Sequence, residues 1–202
     1  MSRFQGTKTE KNILTAFAGE SQARNKYDMF ASIAKKEGYV QIQAVFEETA
    51  RHEKEHAKRL FKFLDSGQPV EFTGVEFPAG CLGDTAANLK EAAAGENEEY
   101  EHMYPEFAKI AREEGFEDVA LAMEGIAIAE RYHEARYLKL LETLEKGEMF
   151  KDGDKVVWRC RNCGHLHTAD KAPEVCPACA HKKPHFERLN SIDDIKVDFP
   201  TS

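Results

Sequence analysis

Between Thr7 and Lys146 apolar side chains recur every three or four positions with almost no proline, the period of a helix that buries one face. In the first such stretch, Thr7 to Glu37, residues Ile13, Phe17, Tyr27, Phe30, Ile33 and Ala34 form the apolar stripe, and Gly38 is suited to the left-handed cap that ends a helix. A second stretch runs from Val40 to Asp65 and ends at Gly67. The third begins at Asp84, a good N-cap in Gly-Asp-Thr-Ala, and reaches Gly115, with Pro105 inside it to bend it or force an irregular turn. The fourth runs from Phe116 to Lys146 and stops at Gly147. Helices of about 25 to 32 residues, roughly 40 to 45 Å long, have the length of bundle helices.

The connections give the topology. Helices one and two, and helices three and four, meet at a single glycine, whereas residues 66–83 form a long link containing Pro and Gly. Two antiparallel hairpins joined by one long crossover predict a mainly α fold, a ferritin-like four-helix bundle. An internal repeat supports the pairing: Phe30-Ala-Ser-Ile-Ala-Lys-Lys-Glu-Gly-Tyr39 matches Phe107-Ala-Lys-Ile-Ala-Arg-Glu-Glu-Gly-Phe116 at an offset of 77, which also superposes Tyr27 on Tyr104, Glu53 on Glu130 and His56 on His133. Upstream, Ala18-Gly-Glu20 matches Ala94-Gly-Glu96 at an offset of 76. One extra residue therefore lies between Glu96 and Tyr104, and it predicts a π-bulge.

After Gly147 the texture changes to short β-favouring pieces, Lys155-Val-Val-Trp-Arg and His185-Phe-Glu-Arg-Leu, around a set of cysteines. This divides the chain into a bundle, residues 1–150, and a small β module, 151–202, too short to hold together without a metal and ending in a tail over 191–202.

Glu53-Lys-Glu-His56 and Glu130-Arg-Tyr-His133 each place a carboxylate and an imidazole one turn apart on one helix face. With 36 acidic residues in the chain, one such motif would signify little more than a solvated face. Here the motif recurs at matched places in both repeats, and the partner helices contribute Glu20 and Glu96. One Glu from each of two helices plus a Glu-x-x-His from each of the others is the di-iron or di-manganese signature of helix bundles. Glu53 and Glu130 are the candidates to bridge two ions near the pseudo-twofold axis. Glu99, one turn after Glu96, has no acidic counterpart in the first repeat and adds a fifth carboxylate. Five carboxylates give the same net charge around two ferric ions with an oxo bridge as around two ferrous ions without one. Tyr27 and Tyr104 are placed to donate hydrogen bonds to ligand carboxylates, or else to serve only as core aromatics. His52 and His102 lack matched partners and are expected at the surface.

Cys160-x2-Cys163-x12-Cys176-x2-Cys179 is the spacing of a tetrahedral thiolate site, and Gly164 and Pro177 suit its tight turns. The spacing itself accommodates zinc or iron. Cys81 stands apart and is expected to pack as a small apolar residue. A net charge of -8 argues against a chain-wide role on nucleic acid or on a membrane surface, and no apolar run is long enough to span a bilayer. Residues 155–190 alone carry seven Lys or Arg against three acids, which keeps open a zinc ribbon that binds nucleic acid. The N-terminus, Met1-Ser-Arg-Phe-Gln-Gly, has no apolar core of a secretory signal, so a cytoplasmic location is expected.

Taken together, Ala18-Gly-Glu-Ser-Gln-Ala-Arg-Asn25, the two Glu-x-x-His motifs, Ala94-Gly-Glu96 with Glu99 and Tyr100, Trp158-Arg-Cys-Arg-Asn-Cys-Gly164 and Cys176-Pro-Ala-Cys-Ala180 resemble the rubrerythrin family, in order along nearly the whole chain. The tail and Cys81 depart from rubrerythrin itself and point to the variant of the family called nigerythrin. The resemblance implies a non-haem peroxidase that reduces hydrogen peroxide to water. Its implied cofactors are three iron ions per subunit: an oxo- or hydroxo-bridged di-iron pair on Glu20, Glu53, His56, Glu96, Glu99, Glu130 and His133, and a rubredoxin-like iron on Cys160, Cys163, Cys176 and Cys179. It further implies that Glu99 and His56 exchange at one iron, that electrons come from rubredoxin or an NAD(P)H-dependent reductase, and that subunits pair head to tail as a homodimer. No nucleic acid or membrane is among the implied partners. The alternatives are a ferroxidase or oxidase that uses dioxygen, and a zinc-ribbon binding protein on a structural bundle.

Overall fold

The computed structural model describes residues 2–64, 67–70, 76–77, 80–189, 191–192 and 195. The expected tail and part of the expected crossover lie outside the described residues. Helix α1 spans Lys8–Glu37 and α2 spans Val40–Phe61. Thr7 caps α1 by accepting the amide of Glu10, and Gly38 ends it in the left-handed conformation at φ 87°. The amide of Tyr39 then donates to the carbonyl of Ala34 at 2.8 Å, closing a Schellman turn. The second hairpin repeats this construction: Gly115 has φ 84°, and the amide of Phe116 donates to Ala111 at 2.8 Å.

Within the third helical stretch, α3 (Thr85–Glu98) starts at its Asp84 cap, passes into a π-helical turn at Glu99–Met103 and continues as α4 (Tyr104–Glu113). The extra residue read from the two offsets is this turn, in which the amide of Tyr104 reaches back to the carbonyl of Glu99. Pro105 sits at the start of α4, where the missing N–H is tolerated. Helix α5 spans Glu117–Glu145. Helix α2 ends before Asp65 because the chain turns after Phe61 to bury Phe63, whose ring meets Phe4 edge-on at 6.2 Å.

Two apolar clusters fill the bundle. One gathers Tyr27, Phe30, Ile42, Phe46, Leu89 and Tyr137, and the other Ile13, Leu60, Tyr104, Ala108, Val119 and Met123. On every helix the expected ligands Glu20, Glu53, Glu96 and Glu130 fall between a residue of one cluster and a residue of the other. The carboxylates thus occupy a buried polar layer between two apolar ones.

The C-terminal part is a three-stranded antiparallel sheet, β1 (Lys151–Cys160), β2 (Leu166–Lys171) and β3 (Phe186–Arg188), with β1 in the centre. Trp158 is fully buried among Cys160, Ala172, Cys176 and Phe186, and its indole N–H donates to the carbonyl of Ala169 at 3.0 Å. Phe150 packs against both this small core and the first bundle cluster. Gln41 Nε2 donates to Ser191 Oγ at 2.8 Å, which ties the module to the start of α2. Among the described residues no helix is long and apolar enough to cross a membrane.

Candidate metal centres

In the bundle the structure brings six of the seven expected ligands into two interlocking groups. Ligand atoms of Glu20, Glu53, His56 and Glu130 lie within 4.8 Å of one another, as do those of Glu53, Glu96, Glu130 and His133. Glu53 and Glu130 belong to both groups. All four carboxylates and His133 are at most 2% exposed. His56 Nδ1 stands 2.9 Å from Glu53, 2.9 Å from Glu130 and 3.5 Å from Glu20. His133 Nδ1 stands 2.6 Å from Glu130, 3.3 Å from Glu53 and 3.5 Å from Glu96.

Of these contacts only that between His56 Nδ1 and Glu53 Oε2 is aligned as a hydrogen bond. Glu20 Oε2, Glu53 Oε1, Glu96 Oε2, both oxygens of Glu130 and Nδ1 of His133 are buried with no aligned hydrogen-bond partner. Buried polar atoms in this condition are rare and costly. Lone pairs that converge without a proton between them are what a pair of cations requires, and a set of carboxylates and imidazoles is what iron accepts. The donor set fits the group.

The electrostatics agree. Desolvation, then the charges of Glu130 and Glu53, push the Glu20 carboxyl well above the usual range. Desolvation and the charge of Glu53 raise Glu96 to about 8. Glu130 is desolvated too, yet the His133 and His56 imidazoles outweigh this and bring it down to about 2. Desolvation works against the charged form of both imidazoles, but their carboxylate neighbours, Glu130 first, outweigh it and raise their affinity for protons. In the absence of metal the layer thus takes up protons to balance its acids, and bound cations would replace them.

Glu99 lies on the π turn, outside both groups, and is only partly buried at its surface. Its carboxyl is nevertheless raised well above the usual range, by desolvation and then by the charges of Glu20 and Glu96. The tyrosines are placed reciprocally: the hydroxyl of Tyr27 donates to Glu96 Oε1, and that of Tyr104 donates to Glu20 Oε1. Each hairpin holds a carboxylate of the other. His102 is exposed, as expected. His52 is not a simple surface residue, because its Nδ1 lies 3.0 Å from His133 Nε2. Its spacing of four from His56 put it on the same helix face, the one sequence signal that could have found it.

At the C-terminal end Cys160, Cys163, Cys176 and Cys179 converge. Sulfur–sulfur distances are 3.8 Å for Cys160–Cys179 and 3.7 Å for Cys163–Cys176. A regular tetrahedron with metal–sulfur bonds of about 2.3 Å has edges near ~3.8 Å, so the cage has the right size. Two matched turns build it: the Cys160 amide donates to His165 and that of Gly164 to Cys160, while the Cys176 amide donates to His181 and that of Ala180 to Cys176. Gly164 and Ala180 both have positive φ, 77° and 58°, and Ala180 is the one non-glycine among the described residues to do so. The His181 amide pulls the Cys179 thiol down to about 6, toward the thiolate that a metal needs. Cys81 is exposed and free, contrary to the expectation that it packs as a small apolar residue; the segment before α3 leaves it outside the core.

Comparison with known proteins follows the same division. The rubrerythrin family model matches residues 11–141, and the model described as the rubredoxin-like domain of rubrerythrin matches residues 158–187. The chain is 56% identical to a rubrerythrin of Nitratidesulfovibrio vulgaris, over 94% of this chain and 98% of the relative. It is 55% identical to a rubrerythrin of Porphyromonas gingivalis, over 93% and 92%. A solved structure of nigerythrin in its mixed-valence state superposes with a TM-score of 0.59 at 30% identity, over 91% of this chain and 90% of that one. The expected nigerythrin character thus has less sequence identity behind it than rubrerythrin itself. With both family models matched in order over a bundle whose carboxylates converge and a cage of four thiols, the chain belongs to the rubrerythrin family, peroxidase-type oxidoreductases with iron at a di-iron site and at a four-cysteine site.

Proposed function

We propose that this protein reduces hydrogen peroxide to water, with electrons entering through the four-cysteine site from rubredoxin or an NAD(P)H-dependent reductase. The observation that carries the reading is the union, in one chain, of two interlocking carboxylate–imidazole groups and a tetrahedral thiol cage. A ferroxidase has no use for the cage, and a zinc-ribbon protein has none for the orphaned carboxylates.

In this reading Glu20, Glu53, His56 and Glu130 would hold one iron and Glu53, Glu96, Glu130 and His133 the other, Glu53 and Glu130 belonging to both groups and Glu99 being the fifth carboxylate. Cys160, Cys163, Cys176 and Cys179 hold the third. When bound, iron at these residues would supply the two electrons that reduction of the O–O bond needs, with the four-cysteine site as the place where single electrons enter. Reduction of one peroxide to two waters also consumes two protons. Glu99, on the π turn and outside both ligand groups, is the carboxylate suited to carry them to the pair. Tyr27 and Tyr104 fix Glu96 and Glu20 in place by hydrogen bonds.

The bundle (1–150) and the cysteine module (151–202) are proposed as separate domains. A head-to-tail dimer finds support in the distribution of groups: the cysteine module joins α2 at Gln41, and His56 stands fifteen residues further along that helix, about 22 Å away. The ring of His56 also borders an open cavity with Arg59, Leu121 and Ile126, a place for another subunit to approach.

Steady-state peroxide consumption with a reductase and NADH tests the proposal. Cys160→Ser is expected to leave the bundle iron in place and to reduce turnover severely. Undiminished turnover in that variant would remove the cage from the electron path.

A further inference from the structure

The inner nitrogen of His133, Nδ1, is committed to the carboxylates, with Glu130 at 2.6 Å, Glu53 at 3.3 Å and Glu96 at 3.5 Å. Its outer nitrogen, Nε2, lies 3.0 Å from Nδ1 of His52. The two rings are nearly parallel, 13° apart, with centres separated by 5.2 Å. Parallel rings with nitrogens at 3.0 Å cannot lie face over face; the centre-to-centre distance is that of two imidazoles meeting end to end in one plane. This is the geometry of an N–H···N hydrogen bond.

We propose that His52 is the positioning residue of His133: Nε2–H of His133 donates to Nδ1 of His52, which fixes the tautomer and the tilt of the ring so that Nδ1 faces the metal. The inference rests on the reading of His133 as an iron ligand. Metal-bound histidines ordinarily donate their second N–H to a carboxylate, a carbonyl or water. A carboxylate here would add another negative charge to a layer that already holds Glu20, Glu53, Glu96 and Glu130. The nearby Glu48 is instead engaged by Arg136 at 2.6 Å, which also bonds Thr49 at 2.9 Å. His52 orients the ligand without adding charge.

The other half of the bundle has no such device. The repeat offset of 77 puts Ala129 where His52 stands, and Nε2 of His56 has no hydrogen-bond partner among the described residues. His133 is pinned and His56 is not.

The test is an anaerobic titration of the full-length apoprotein with ferrous iron in competition with a chromogenic chelator, for the wild type, His52→Leu and His52→Gln. Leu removes the acceptor, and affinity in the bundle is expected to fall ~10- to 100-fold. Gln offers an amide oxygen, and affinity is expected within about threefold of the wild type. The iron band of the cysteine cage serves as an internal control, and apoprotein melting curves report on folding. In zinc-loaded, 15N-labelled protein the Nε2–H of His133 should give a downfield, exchange-protected resonance that is lost in His52→Leu and retained in His52→Gln. Wild-type affinity in His52→Leu, equal loss in both variants, or no such resonance in the wild type would overturn the proposal. A wild type that holds no iron in the bundle would instead overturn the ligand reading beneath it.

Discussion

The two helical hairpins are built from one plan and differ at a few positions. Both turn through a left-handed glycine with the same Schellman bond, both present Glu-x-x-His on their second helix, and each lends a tyrosine hydroxyl to a carboxylate of the other. Only the second carries a π turn, and only that turn presents a fifth acid, Glu99, where the first hairpin has Ala23. Conversely, only the first provides His52, which reaches across to the histidine of the second. The symmetric part of the plan makes two equivalent cradles for cations; the departures give the two histidines unequal freedom and give one side a spare carboxylate.

The largest expected effect comes from the residues shared by both halves. Glu53→Ala or Glu130→Ala deprives both cradles at once, and iron counting on purified protein should find the bundle empty while the cysteine iron remains; a full complement of iron in both variants would refute the bridging assignment. Next comes Glu99→Ala, which makes the second hairpin resemble the first. Iron should still bind, because Glu99 lies outside both ligand groups, but single-turnover oxidation by peroxide should slow by roughly tenfold or more, as observed when groups supporting a metal site are removed. An unchanged rate would make the fifth acid irrelevant to the reaction.

Smaller effects measure the symmetry itself. Tyr27→Phe and Tyr104→Phe each leave a buried carboxyl oxygen without its hydrogen bond, at a cost of about 1–3 kcal/mol, and apoprotein melting should fall by similar amounts in the two variants. A marked inequality would show that the halves differ in more than the π turn and His52. Smallest is the pair Gly38→Ala and Gly115→Ala. Each forces a side chain into the left-handed region at a cost of about 1 kcal/mol, and denaturant titration should find the two alike, since an added Cβ meets only Pro184 at 3.5 Å in the first and open space in the second.

Much of this plan could be read from residue order, because its signals are local. Gly38 and Gly115 mark turns by their own conformational freedom, Glu-x-x-His places two donors on one face by helix period, and the π turn is legible as the difference between offsets of 76 and 77. The cage is equally legible from its paired cysteines. What escaped notice depends on distant partners. His52 meets a residue 81 positions away, and its spacing of four from His56 shows only which helix face it shares, not that partner. Strand β2, Leu-His-Thr-Ala-Asp-Lys, lacks an alternating apolar face and forms because β1 pairs with it beside Trp158 and the first cysteine turn. The early end of α2 is likewise imposed by the burial of Phe63 against Phe4. Cys81 is exposed although its type favours burial.

The most direct measurement is an anaerobic stopped-flow experiment on fully reduced, iron-loaded protein, mixed first with one equivalent of hydrogen peroxide and then, separately, with dioxygen, following the visible band of iron in the four-cysteine cage. Rapid appearance of the oxidised band with peroxide and slow appearance with dioxygen is the predicted result, since both centres then act in one peroxidase. Rapid oxidation by dioxygen alone, or a protein with no visible band because zinc fills the cage, would contradict it.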